Sequence, residues 1–96
     1  MIKNSEQVKL FHGEALFRTG QQAAHFYLVK TGSIYILDET GLIVLKQFFP
    51  GELFGIPEVL AQGQWANTAL ANGNTVLMRF DSSNLFQSLD QMSEAQ

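Results

Sequence analysis

The side chains of this chain best equipped to hold a ligand are Glu58, Trp65, Asn67 and Thr68, which stand close together in the sequence. Trp65 offers an aromatic floor to a flat or apolar ligand, although a tryptophan in a small β domain is more often packed core or a partner contact. Asn67 and Thr68 can reach a ligand from a loop, although such residues usually bond to nearby backbone. Glu58 follows Pro57, which fits the first position of a short helix. Its carboxylate then lies beside the positive end of the helix dipole, where it competes with any anion, or serves simply as a helix-start charge. Ile56 and Val59, on the same short helix, read as core residues that fill space.

Catalytic chemistry finds no support in the remaining residues. The chain has no cysteine, which excludes thiolate chemistry and disulfides. Ser5, Ser33, Ser82, Ser83, Ser88 and Ser93 include no Gly-x-Ser-x-Gly elbow, and no Gly-Lys-Ser or Gly-Lys-Thr marks a phosphate-cradling loop. His12 and His25 are isolated and read as turn or surface residues. Without a His-x-His pair and a nearby carboxylate they fall short of a metal shell. The expectation is therefore a binding domain and not an enzyme, with no catalytic residue, no metal and no cofactor.

The elements that must position these residues are short and β-rich. In 96 residues there is room for one domain, and 46% hydrophobic against 16% charged residues is too apolar for a disordered segment. Six basic and nine acidic residues leave a net charge of -3, with Lys3, Lys9, Arg18, Lys30, Lys46 and Arg79 scattered. Nucleic-acid binding through this segment is not expected. No stretch approaches the ~20 apolar residues of a membrane span, and Met1–Glu6 has no secretory character, so a soluble cytoplasmic protein is expected.

Turn glycines at Gly13, Gly20, Gly32, Gly41, Gly51 and Gly55 divide the chain into runs of strand length. Val8–Phe11 and Ala15–Phe17 form two brief strands around His12-Gly13-Glu14. His25–Lys30 leads through Thr31-Gly32 into Ser33–Leu37, the clearest hairpin by local signal. Asp38–Gly41 reverses the chain into Leu42–Phe48 as a second hairpin. After an Asn72-Gly73-Asn74 turn, Thr75–Phe80 places Val76, Met78 and Phe80 on one face and Thr75, Leu77 and Arg79 on the other, and is expected to close the sheet. Ile56–Leu60 reads as a short helix ended by Gly63. A last helix over about residues 82–94, capped by Asp81, carries Leu85, Phe86, Leu89 and Met92 as a stripe that would dock on the roll. The fold class is mostly β, a β-roll or jelly roll with short flanking helices.

Three segments in order, Phe11-x-Gly13-Glu14-x-Leu16-Phe17-x-x-Gly20, Phe26-Tyr27-x-Val29-x-x-Gly32-Ser33-Ile34 and Pro50-Gly51-Glu52-x-Phe54-Gly55, resemble the cyclic nucleotide-binding domain. The resemblance spans roughly Val8 to Leu89 and is greatest to the effector domains of catabolite-activator and fumarate-nitrate-reduction (Crp/Fnr) type transcription regulators. It implies that Gly55 to Ala71 is the phosphate-binding cassette, a short helix and loop that grip the sugar and cyclic phosphate. The candidate pocket residues are Gly55, Ile56, Glu58, Trp65, Ala66, Asn67 and Thr68. Aligned without gaps, the glutamate that takes the ribose hydroxyl falls on Ile56, the arginine that pairs with phosphate on Trp65, and the neighbouring serine or threonine on Ala66. Thr68, Ala69 and Ala71 keep the pattern. Each charge-assisted bond to phosphate contributes roughly 1.5 to 3 kcal/mol, so cAMP and cGMP are not expected to bind in the usual way. Arg18 and Arg79 are distant in sequence, and Lys46 is the nearest cation that can be named.

The resemblance implies a small-molecule effector of unknown identity, a homodimer as the assembly to look for, and DNA contact through a C-terminal helix-turn-helix that this sequence does not contain. A shortened piece of a regulator and a stand-alone module both fit that expectation. The alternative is a degenerate domain that holds no ligand and acts as an interaction or structural module. A dry, fully packed pocket under Trp65 would favour it.

Overall fold

The backbone of the domain is one long two-stranded ribbon, β3 (His25–Leu37) against β6 (Ala69–Asp81), each 13 residues long. The computed structural model describes residues 5–81 and Ser83. Around the ribbon lie β1 (Ser5–Leu10), β2 (Ala15–Phe17), β4 (Val44–Phe48), β5 (Leu53–Phe54) and the helix α1 (Ile56–Leu60). All pairings are antiparallel. The main path is β1-β6-β3-β4, with β2 added to β6 and β5 to β3. The β6 segment expected to close the sheet instead occupies its middle, bonded to β1 on one side and β3 on the other. The two ends of the path, β1 and β4, are not paired with each other, so the sheet is not closed into a barrel.

Two sequence expectations are corrected by this ribbon. Thr31-Gly32 is not a hairpin turn and Asn72-Gly73-Asn74 is not a turn either; both lie inside continuous strands. The register slips between Val29 and Thr31 and again between Thr31 and Ser33, which stand opposite Leu77, Val76 and Asn72 in β6. Extra residues on each strand therefore bulge against one another and bend the ribbon. Gly32 holds φ +76, and a Cβ there would meet the Asn74 carbonyl oxygen at 2.5 Å and the Thr75 Cα at 2.8 Å. Only a residue without a side chain fits. The buried Thr75 hydroxyl completes the bend, its one proton shared between the carbonyls of Ser33 and Gly73 at 3.0 Å each while its oxygen accepts the Ser33 N–H at 3.3 Å.

The Asp38 reversal follows the sequence, whereas β5 and the start of β6 at Ala69 were not expected and β4 begins at Val44 and not Leu42. Asp38–Gly41 reverses the chain, with the Gly41 N–H donating to the Asp38 carbonyl at 3.0 Å, and β4 then pairs with Ile34–Leu37. Asp38 accepts from the Thr40 hydroxyl and the Ile43 N–H, and those bonds, that from Thr40 foremost, hold its carboxyl below the usual carboxylate range. Two further turns share one design. In Phe11-His12-Gly13-Glu14 and Phe49-Pro50-Gly51-Glu52 the glutamate N–H donates to the phenylalanine carbonyl at 3.0 Å, and the glutamate carboxylate accepts the phenylalanine N–H. Glycine with φ +85 or +92 at the third position makes these type II turns.

The core gathers Tyr27, Val29 and Ile34 of β3, Ala69, Ala71 and Leu77 of β6, Phe17 of β2, Phe54 of β5, and Ala23 and Trp65 from loops. Along β6 the buried face carries Thr75 and Leu77, with Val76, Met78 and Phe80 half-buried on the other, which is the alternation read from sequence. Complete burial of Ile34 and of Leu77 stabilises the fold by about 1.5–3 kcal/mol each. Burial also pushes the Tyr27 hydroxyl above its ordinary pKa, partly offset by Arg79 beside it. The C-terminal helix expected over 82–94, with Leu85, Phe86, Leu89 and Met92, lies outside the described residues.

Candidate ligand-binding site

Helix α1 has five residues, too few for an isolated helix to persist in water. Tertiary contacts hold it. Gly55 caps it in the left-handed region at φ 97, Pro57 occupies its first turn, and the fully buried Val59 anchors it to the sheet. It ends at Leu60. Gln62 takes the left-handed conformation at φ 53, and the Gly63 N–H reaches back to the Glu58 carbonyl at 3.1 Å.

The loop that follows is clamped to the segment after β2. Ala23 N–H donates to the Gly63 carbonyl, Trp65 N–H to Gln21 and Gly20 N–H to Trp65, all at 2.8–2.9 Å. The Thr68 hydroxyl accepts from the Thr19 N–H at 3.2 Å. Trp65 is thereby fixed, and its ring lies flat on Phe17 with centroids 3.8 Å apart and planes 5° apart. Phe48 stacks on Phe54 at 4.5 Å, and Tyr27 stacks on the other side of the group at 5.4 Å from Phe54.

Beside these rings a cavity of about 380 Å³ opens to the surface. Its sheet wall is Phe17, Ile36, Phe48 and Phe54, its helix wall Gly55, Pro57 and Glu58, and its loop wall Trp65, Ala66 and Asn67. Leu53 and Lys46 stand at the same opening, and the Lys46 Nζ lies 5.2 Å from the centroid of the Phe48 ring. The structure thus brings five of the seven candidate pocket residues, Gly55, Glu58, Trp65, Ala66 and Asn67, to one cavity. Ile56 is half-buried and Thr68 is occupied by Thr19; neither lines it. Ile56 and Val59, expected from sequence to fill this space, are half-buried and fully buried, and neither lines the cavity, which remains open.

Phe17, Ile36, Phe48, Leu53 and Phe54 line the cavity without having been singled out from sequence. Their signal was the side-chain alternation of β2, β3, β4 and β5, which says which residues share a face but not that the face borders empty space. The two histidines sit elsewhere. His12 Nδ1 accepts the Gly73 N–H at 2.8 Å, and His25 Nε2 is 3.1 Å from Asp81 at the end of β6. Arg79 is held by Glu6 across the β1–β6 ladder. Among the described residues no group of three or more His, Cys, Asp or Glu side chains is arranged to hold a metal ion, and no helix is long and apolar enough to cross a membrane.

Residues 7–92 match the cyclic nucleotide-binding domain family. The chain belongs to that family. A cyclic nucleotide-binding-like protein from Brucella abortus is 28% identical, with a TM-score of 0.74 over 90% of this chain and 76% of that one. The sensor domain of the transcriptional regulator DNR from Pseudomonas aeruginosa, 24% identical, superposes with a TM-score of 0.83 over 92% of this chain and 64% of its own. The fold is thus shared with Crp/Fnr-type regulators. Among curated proteins, lysophospholipase nte1 of Neurospora crassa is 34% identical over 89 residues, 90% of this chain. The chain spans 6% of the length of the curated relatives it matches. In this cyclic nucleotide-binding domain Trp65 and Ala66 border a cavity walled mainly by aromatic and aliphatic side chains, and Ile56 stands outside it.

Proposed function

We propose that this domain is a regulatory, ligand-sensing effector domain of the Crp/Fnr type whose cassette does not hold cAMP or cGMP in the usual way. The observation that carries the reading is the open cavity of about 380 Å³ at the cassette, with no arginine on its walls. A space of that size suits a small molecule, and occupancy would bias the position of α1, a helix held only by tertiary contacts. The effector role is compatible with the likeness to lysophospholipase nte1 as well as to DNR, since in both the matching domain is part of a longer protein. Calorimetric titration with cAMP and cGMP tests the claim about the cassette. No heat of binding is expected at micromolar concentration, and a low-micromolar Kd for either nucleotide would overturn it.

A second reading, a partner-docking module without a ligand, is favoured by a single feature. Leu42, Ile43, Val44 and Leu45 are exposed on the edge strand β4 and its turn, Leu42 at 86%. Such an edge invites pairing with another chain, a second copy included. Sedimentation velocity across micromolar concentrations, with and without Leu45→Lys, measures this: a concentration-dependent dimer lost in the variant supports it, and a monomer throughout removes it.

A further inference from the structure

We propose that the cavity beside α1 receives a small organic cation with an apolar body, of the alkylated-ammonium class, held by aromatic faces with Glu58 as counter-charge. This rests on the reading of the cavity as a ligand seat and changes only what sits there.

The wall is the first reason. Two stacked aromatic pairs line the cavity, Phe17 on Trp65 and Phe48 on Phe54. The face of an aromatic ring carries partial negative charge and attracts a cation placed within about 6 Å of its centroid. The structure already contains an instance, since the Lys46 ammonium stands 5.2 Å above Phe48 at the mouth of the same cavity. That face of Phe48 therefore accepts a positive charge, and the lysine occupies it as a ligand head group would.

Charge is the second reason. Glu58 is half-buried on the cavity wall, and among the described residues its carboxylate takes part in no ion pair or hydrogen bond. A carboxylate there opposes a phosphate or carboxylate ligand and supplies the counter-charge for a cation. Where the cassette pattern implied by the resemblance has an arginine, this chain has Trp65, so a group that attracts anions gives way to an uncharged ring. Lys46 acts against a cationic ligand, both by its charge and by covering Phe48. Removing it should therefore tighten binding, whereas an anionic ligand would lose by the same change.

Trp65 is the sole tryptophan, so its fluorescence reports on the cavity directly. The full chain is titrated with choline, with its neutral isostere 3,3-dimethylbutan-1-ol, and with phenyl phosphate. Choline should give a saturable change and bind about tenfold more tightly than the alcohol. Glu58→Gln should weaken choline by about tenfold and leave the alcohol unaffected, and Lys46→Ala should strengthen choline by about threefold. Lys46 is exposed and Glu58 half-buried, and unchanged circular dichroism confirms that the variants are folded. Equal binding of choline and the alcohol, tighter binding of phenyl phosphate, insensitivity to Glu58→Gln, or no choline response each overturns the proposal. A choline failure with cyclic nucleotides also silent breaks this inference alone; micromolar binding of a cyclic nucleotide breaks the reading of the cassette beneath it.

Discussion

The turn at Phe11–Glu14 and the turn at Phe49–Glu52 are built from the same parts and dock in the same way. In the first, Gly13 N–H donates to the Ala71 carbonyl of β6 and Ala71 N–H to Glu14. In the second, Gly51 N–H donates to the Val29 carbonyl of β3 and Val29 N–H to Glu52. Beyond the turns the two regions diverge. The first runs through Phe17 to Gly20, where a Cβ would meet nothing within 4 Å. The second runs through Phe54 to Gly55, where a Cβ would meet Trp65 Cη2 at 2.8 Å and Phe26 Cα at 3.3 Å. A shared local motif thus produces the same local structure twice, and the cavity lies at the second copy, where α1 and the Trp65 loop pack beside it.

The sharpest way to break this comparison is to add a methyl group at each of the diverging glycines. Gly55→Ala forces an alanine into φ +97 and against a buried indole, and should cost about 3 kcal/mol. Gly20→Ala meets only the backbone penalty and should cost about 1–2 kcal/mol. Urea midpoints of the two variants measure the difference, and equal losses would mean that the indole yields freely. Gly55→Ala should also disturb Trp65 fluorescence, which Gly20→Ala should not.

A smaller effect checks that the two turns are equivalent. Glu14 accepts the Phe11 N–H and Glu52 accepts the Phe49 N–H, at 2.6 and 2.8 Å. Glu14→Ala and Glu52→Ala should each cost about 1 kcal/mol, and the double variant should lose the sum. Thermal unfolding of the three proteins reads this out; a marked excess in one single variant would show that the likeness is only geometric.

The third reversal, at Asp38, supplies the smallest effect and the one that depends on pH. Its carboxyl is lowered by the Thr40 hydroxyl first and by backbone N–H groups after it. A carboxylate with a depressed folded-state pKa adds stability above its unfolded value of about 4, and this stability is lost as pH falls through the folded-state value. Asp38→Asn should therefore be slightly less stable than wild type at neutral pH and converge with it as pH falls below about 4, which flattens the acid limb, as urea midpoints from pH 3 to 7 would show.

Much of the fold was legible because strands and type II turns are written in short-range patterns. β2, α1 and the Asp38–Gly41 reversal stand where local signals put them, and the faces of β6 follow its alternation. The errors at Gly32 and Gly73 share one cause. A glycine with positive φ serves a turn or a bulge equally well, and the choice is made by a partner strand some forty residues away: Ser33 lies opposite Asn72, so the two kinks face each other and the strands run on. At the site, residue types were legible and space was not. Lys46 and Glu58 could be named, but whether Ile56 filled the pocket depended on how α1 sits against the sheet.

By itself the sequence determined the mostly β class and the places of β2, α1 and the Asp38–Gly41 reversal, because each is carried by the identity of residues at short spacing. Tertiary structure alone decided that β3 and β6 are single bent strands and that Trp65 is clamped flat on Phe17. It also decided that a cavity survives between the aromatic pairs and α1. Those outcomes depend on contacts between residues distant in the chain, and no local pattern specifies the volume left between surfaces that meet only when the chain has folded.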